Sequence, residues 1–314
     1  MESADLDSAG LAAAALARRN GTTVTAQHEE ASAAAAPGAG LMQGKRGLVM
    51  GVANDHSIAW GIAKALHAHG ASLAFTYQGK ALGKRVSPLA ASVGSSILEP
   101  CDVEDPASVE ALFARIGREW GGLDFVVHAI AFSDKNELKG RYADTTRENF
   151  TRTMLISCFS FTEIARRAAS LMTRGGSLLT LTYDGSNRVM PNYNVMGVAK
   201  AALEASVRYL AADFGPSGIR VNAISAGPVR TLAGAGITDA RLMFNFQKRH
   251  APLRRSVSIE EIGNAGLYLL SDLSSGVTGE IHYVDSGYNI VSMPHPEALK
   301  TVDAAEAAAE SSGH

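Results

Sequence analysis

Tyr193 and Lys200 are the residues whose types and spacing most readily do chemistry. They lie in the run Pro191-Asn192-Tyr193-Asn194-Val195-Met196-Gly197-Val198-Ala199-Lys200. A phenol beside an ammonium can stabilise an oxygen on which negative charge develops. Seven positions turn a regular helix through about 700°, which brings the two side chains to nearly the same face. Compared with a pair four apart, the tyrosine lies about 4.5 Å further along the axis.

A second feature would bring a reactant to that pair. The apolar run Arg46–Val52 leads directly into Gly51-Val52-Ala53-Asn54-Asp55-His56-Ser57-Ile58-Ala59-Trp60-Gly61. A glycine turn between a first strand and a helix is where a dinucleotide pyrophosphate sits, because the backbone comes close and the helix presents its positive end. Ser57 is placed to cap that helix and to bond a phosphate oxygen. The spacing is not G-x-G-x-x-G, so the position on the first strand carries the argument. The second strand ends Thr76-Tyr77-Gln78-Gly79-Lys80, without the acid that usually holds the adenosine ribose of NAD. Gln78 can bond a ribose hydroxyl instead. NADH is the favoured cofactor, and NADPH stays open because Lys80, Lys84 and Arg85 follow and would meet a 2′-phosphate. Asp102 and the amide of Val103 close the third strand, where an adenine would lie.

The elements that must position these residues alternate along the chain. Strands are expected at 46–52, 72–77, 96–101, 123–128, 177–183, 218–224 and 280–284. Helices are expected at 57–69, 106–119, 147–172, 192–214 and 259–270. The strands are continuous apolar runs, as in a parallel sheet covered on both faces. The expected fold is α/β: a Rossmann-type, doubly wound, parallel seven-stranded sheet with helices on both faces. The mixed stretch 226–253 is expected to form a substrate-binding flap. Residues 1–40, rich in Ala, Ser and Gly, read as a disordered extension. Residues 41–293 then form one domain, and 294–314 a tail.

Bulk properties exclude other classes. Among 314 residues, 29 Lys and Arg stand against 31 Asp and Glu, a balance that does not suit a nucleic-acid binder working by bulk charge. Cys101 and Cys158 sit in no metal-binding spacing, and two cysteines cannot build a disulfide framework. No nucleic-acid or metal role is therefore expected, and without a run of about 18 apolar residues no membrane span is expected either. A reducing cytoplasm is the expected compartment.

The common short-chain dehydrogenases share this architecture but carry Tyr-x-x-x-Lys, and the residue four before Lys200 is Met196. In ketone reduction the hydride lands on the carbon bearing the oxygen. In enoyl thioester reduction it lands on C3, and charge appears on the thioester oxygen at the far end of the conjugated system. A displaced phenol suits the second reaction.

Several segments carry a specific resemblance. They are Gly51-Val52-Ala53-Asn54 with Ser57-Ile58-Ala59, Tyr183, Pro191 to Gly197 with Lys200, and Arg220 to Leu232. Over residues 41–293 the chain resembles the NADH-dependent enoyl-[acyl-carrier-protein] reductases of bacterial fatty acid synthesis, within the short-chain dehydrogenase/reductase superfamily. The resemblance implies that Tyr193 bonds the thioester oxygen, that Lys200 holds the nicotinamide ribose, and that Tyr183 lines the pocket beside the substrate. It implies cofactor contacts for Gly51, Ser57, Ile58, Ile130, Val229, Thr231, Leu232 and Ala233. It implies substrate contacts for Ser133, Tyr183, Met196 and Met243, with Phe246 on the acyl channel. It also implies an acyl-carrier-protein-bound enoyl substrate and a homotetramer. Ala131 stands where many members carry glycine, and Asp184 where relatives carry a small or apolar residue. Arg241, Lys248 and Arg249 read as a solvated basic face. Two other readings stay open: a short-chain keto-reductase or alcohol dehydrogenase, and a non-catalytic dinucleotide sensor.

Overall fold

Neighbouring residues of the first strand enter different cores: Leu48 and Met50 one, Val49 the other. This follows from the two-residue period of extended chain once helices cover both faces of a sheet. The computed structural model describes residues 40–229, 231 and 240–293. All of the expected extension except Gly40, and the tail beyond Met293, lie outside the described residues.

The strands are β1 (Arg46–Met50), β2 (Ser72–Tyr77), β3 (Ile97–Pro100), β4 (Phe125–His128), β5 (Gly176–Thr182), β6 (Ile219–Ala226) and β7 (Ile281–Val284). They pair in the order β3-β2-β1-β4-β5-β6-β7, every neighbour parallel. The expected doubly wound seven-stranded sheet is the fold. The strand order reverses between β1 and β4, and at such a switch point the carboxyl ends of the strands open a crevice.

The helices are α1 (Ile58–Ala68), α2 (Gly79–Ser92), α3 (Pro106–Trp120), α4 (Arg147–Met154), α5 (Ser160–Ala169), α6 (Asn194–Phe214), α7 (Ala240–His250) and α8 (Ile259–Leu270). On one face Leu112, Ile116, Phe161, Ile164, Leu203 and Val207 from α3, α5 and α6 pack on Val126, Leu178 and Val221. On the other, Trp60, Ile62, Val86, Ile262 and Leu269 from α1, α2 and α8 pack on Phe75, Phe125, Val127 and Ile224. Each such side chain stabilises the fold by about 1.5–3 kcal/mol. Local signals set several helix ends. Asp105 accepts from the Ala107 amide and Gly121 ends α3 in the left-handed region. Ser258 and Glu261 form a reciprocal cap on α8.

Three elements differ from expectation. Helix α2 is not among the expected helices: Gly79, Gly83 and Pro88 break its pattern, and only Val86 and Ala90 are buried. The single helix expected over 147–172 is interrupted at Leu155–Phe159 by a wider, π-helical turn and ends at Ala169. That turn aims Ser157, whose hydroxyl accepts from the Phe132 amide and donates to the Phe132 carbonyl. The loop after β4 is thereby tied down at both backbone groups. The expected flap segment contains the end of β6 and helix α7, while residues 230 and 232–239 lie outside the described residues.

Gly51 ends β1 with φ +93, and a side chain there would run into the Ala129 carbonyl at the end of β4. Gly51→Ala is expected to destabilise the protein by about 1–3 kcal/mol. Urea unfolding checks this, and an unchanged midpoint would refute the close approach.

Candidate active site

The carboxyl ends of β4, β5 and β6 and the start of α1 surround a cavity of about 220 Å³. Its wall brings together Ile58, Ile130, Tyr183, Tyr193, Lys200, Val229, Thr231 and Met243 from the expected site. Ala131, which stands where many family members carry glycine, is on the wall too, and Leu181, Thr182 and Phe244 are among the lining residues that were not expected to bind. A larger hollow of about 660 Å³ lies where the strands begin, beside Lys45, Asp124, Arg174 and Arg220. Parallel sheets place their ligands at the opposite edge, and none of the candidate residues reaches this one.

Tyr193 is not carried on a regular helical rail. Asn192 and Asn194 have φ of 58° and 35°, and α6 begins only after the tyrosine. Asparagine tolerates this left-handed backbone better than most residues. The seven-residue argument from ideal helix geometry is therefore corrected: a kinked entry, not added helical rise, sets where the phenol lies. The ring of Tyr193 packs against Gly185, where a Cβ would lie 2.6 Å from it. Tyr183 meets it edge-on, with ring centroids 5.3 Å apart and planes at 77°. Burial pushes the Tyr183 phenol up to about 12 and pushes Tyr193 higher still. Both therefore carry their protons at neutral pH and can donate hydrogen bonds.

A residue of α7 reaches this pair. Gln247 Nε2 donates to the Tyr183 hydroxyl at 2.8 Å, and Gln247 is 6% exposed. No sequence signal pointed to Gln247, because its partner is 64 positions away. The contact ties α7, which also contributes Met243 and Phe244, to the pocket wall.

Lys200 is 6% exposed on α6, and its Nζ donates to the Leu181 carbonyl at 2.8 Å. Burial pulls it down to about 8, while Cys158 and Glu204 oppose that shift. An ammonium has three donors, so two remain beyond the Leu181 carbonyl. Such donors suit vicinal hydroxyls, and the apolar Ile58, Ile130 and Val229 suit the flat face of a ring. The donor set fits a dinucleotide. No group of three or more metal-ligating side chains occurs among the described residues.

Other expected residues lie elsewhere. Gln78 Nε2 donates to Asp102 at 3.0 Å, joining the ends of β2 and β3. Gly51 shapes the turn by packing on Ala129 and does not line the cavity. Ser57 is corrected: it stands at the N-cap position, but its hydroxyl makes no cap. It accepts from the Ala53 and Asn54 amides and so folds the glycine loop onto itself. Val103 is buried in the core. Met196, expected at the substrate, packs with Leu138, Tyr193 and Val195. The Ser133 hydroxyl is engaged with Asn149 and Thr153. Phe246, expected on the acyl channel, stacks with His250 and is not on the cavity wall. Asp184, which stands where relatives carry a small or apolar residue, is 5% exposed. Burial raises its carboxyl, with Arg188 acting in the opposite sense. Leu232 and Ala233 lie outside the described residues.

A switch-point cleft walled by a tyrosine pair and a buried lysine defines a dinucleotide-dependent oxidoreductase of the short-chain type. A family model described as Enoyl-(Acyl carrier protein) reductase matches residues 51–289. The chain is 76% identical over 265 residues to enoyl-[acyl-carrier-protein] reductase [NADH] 2 of Rhizobium meliloti (strain 1021), covering 84% of this chain and 99% of that one. It is similar to the crystal structure of FabI from Candidatus Liberibacter asiaticus, with 65% identity, a TM-score of 0.80, and coverage of 82% and 99%. It is also similar to the Anaplasma phagocytophilum enoyl reductase in complex with NAD, with 58% identity, a TM-score of 0.79, and coverage of 82% and 98%. The chain belongs to the enoyl-[acyl-carrier-protein] reductase family.

The Gln247–Tyr183 contact predicts energetic coupling. A double-mutant cycle of Gln247→Leu and Tyr183→Phe, read by urea unfolding, is expected to give about 0.5–3 kcal/mol of interaction energy. Additive effects of the two substitutions would show that α7 is not held through the phenol.

Proposed function

We propose that this enzyme reduces a trans-2-enoyl thioester carried on acyl carrier protein to the saturated acyl thioester, with NADH as reductant. The observation that carries the reading is the convergence of Tyr183, Tyr193 and buried Lys200 on one wall of the switch-point cavity. Bound NADH supplies the hydride that C3 receives. Lys200 holds the nicotinamide ribose hydroxyls with the two donors left beyond the Leu181 carbonyl. Tyr193, protonated and shielded from water, donates to the thioester oxygen as enolate charge develops there. Tyr183 lines the substrate side, its ring edge-on to Tyr193 and its hydroxyl fixed by Gln247. Met243 and Phe244 close the cavity from α7 and give the acyl chain an apolar surface. Gln78 and Asp102 hold the adenosine end, and the absence of an acid after β2 keeps NADPH as the alternative cofactor. The relatives' names specify NADH, and one similar structure holds NAD.

No helix of the described residues is long and apolar enough to cross a membrane. A cytoplasmic homotetramer is the expected state, and two exposed aromatic rings support the assembly. Phe159 on the wide turn is 53% exposed and Tyr209 on α6 is 77% exposed. Such rings are costly to leave in water and suit a symmetric partner.

Loss of NADH absorbance with a crotonyl thioester, set beside an acetoacetyl thioester and repeated with NADPH, tests the reading. Oxidation with the enoyl substrate is expected, and oxidation with the keto substrate alone would make the protein a keto-reductase. Tyr193→Phe is expected to lower kcat by about tenfold or more while NADH binding survives. Unchanged turnover in that variant would remove the tyrosine from its role. Light scattering is expected to report a tetramer, and a stable monomer would contradict the assembly.

A further inference from the structure

Glu204 lies one helical turn beyond Lys200 on α6 and is 5% exposed. Its Oε1 accepts from Thr182 Oγ1 at 2.6 Å and from Ser186 Oγ at 2.5 Å. Those two hydroxyls flank Tyr183 on both sides in sequence. Lys200 grips the residue before them through the Leu181 carbonyl. The segment 181–186 is thus fastened to α6 at three points by two residues of one helix face.

A neutral acceptor would satisfy two hydroxyls at lower cost, since burying a charge is more expensive than burying an amide. No salt bridge to Glu204 occurs among the described residues, so local pairing does not explain the charge. The groups facing Lys200 do. They are Cys158 on the wide turn, His128 on β4 and Glu204 on its own helix. Burial pushes the Cys158 thiol up and pulls His128 down to about 3, so both are neutral at ordinary pH. Of these three, Glu204 alone carries a carboxyl group.

We propose that Glu204 is a positioning residue: its carboxylate fixes the Tyr183 turn against α6 and holds Lys200 in its ammonium form. The proposal rests on the reading that Lys200 binds the cofactor and Tyr183 sits beside the thioester; Glu204 acts through them.

Glu204→Gln keeps the shape and the acceptor oxygen but removes the charge. Lys200 loses its ammonium as pH rises through about 8, and loss of the nearby anion moves that transition lower. In steady-state assays with NADH and crotonyl thioester, the alkaline limb of kcat/KM for NADH is expected to shift down by about one pH unit, a tenfold change in the protonation constant. A glutamate serving only as a packing and hydrogen-bonding group would leave that limb in place. Ser186→Ala is the companion variant. It leaves the carboxylate one donor short, so the limb is expected to move slightly upward and kcat to fall several-fold as the Tyr183 turn loosens. An alkaline limb at the wild-type position in Glu204→Gln overturns the proposal, as does the same result in Ser186→Ala should the first variant not fold. Failure of the wild-type enzyme to oxidise NADH with the enoyl substrate would instead fail the functional reading, before any variant is compared.

Discussion

Holding the Lys200 ammonium out of water costs desolvation energy, and much of the site is arranged around offsetting that cost. The Leu181 carbonyl at the end of β5 takes one donor directly. Glu204 supplies opposite charge from one turn along the same helix, while Cys158 and His128 face the lysine as neutral groups. Because these partners sit on β4, β5, α6 and the wide turn, the lysine can be buried only where all four elements meet. That meeting point is the carboxyl edge of the sheet, beside the strand reversal that opens the crevice.

The aromatic pair depends on the same arrangement in a different way. Tyr193 reaches the cavity through two asparagines in the left-handed region and lies against a glycine. Tyr183 comes from the opposite side, on the turn that α6 fastens through Thr182 and Ser186. The two rings meet because a strand end and a helix start are held at a set separation by polar contacts that avoid water. Gln247 then links this wall to α7, which covers the cavity with apolar side chains. Stability and chemistry are coupled here, since the groups that fasten the backbone also adjust the proton affinities of the reactive side chains.

Much of this was legible in the residues. Long apolar runs separated by amphipathic stretches indicate a parallel sheet, because burial on both faces removes the polar alternation of an exposed strand. The glycine turn after the first strand and the Tyr193–Lys200 run mark the cleft. What escaped had weak or misleading local signals. Helix α2 carries Gly79, Gly83 and Pro88 and buries little, so its periodicity is faint. The interruption at Leu155–Phe159 leaves no trace in composition, since it serves a contact with Phe132 far along the chain.

The sequence by itself determined the class of fold, the edge of the sheet that would carry the site, and the tyrosine and lysine that wall it. These follow from local periodicity and turn chemistry, which act over a few residues. Tertiary structure alone decided that Glu204 would take the hydroxyls of Thr182 and Ser186 around Tyr183, and that Gln247 would reach Tyr183 from 64 positions away. Those outcomes depend on which buried polar groups find one another once water is excluded, and that pairing is a property of the packed molecule.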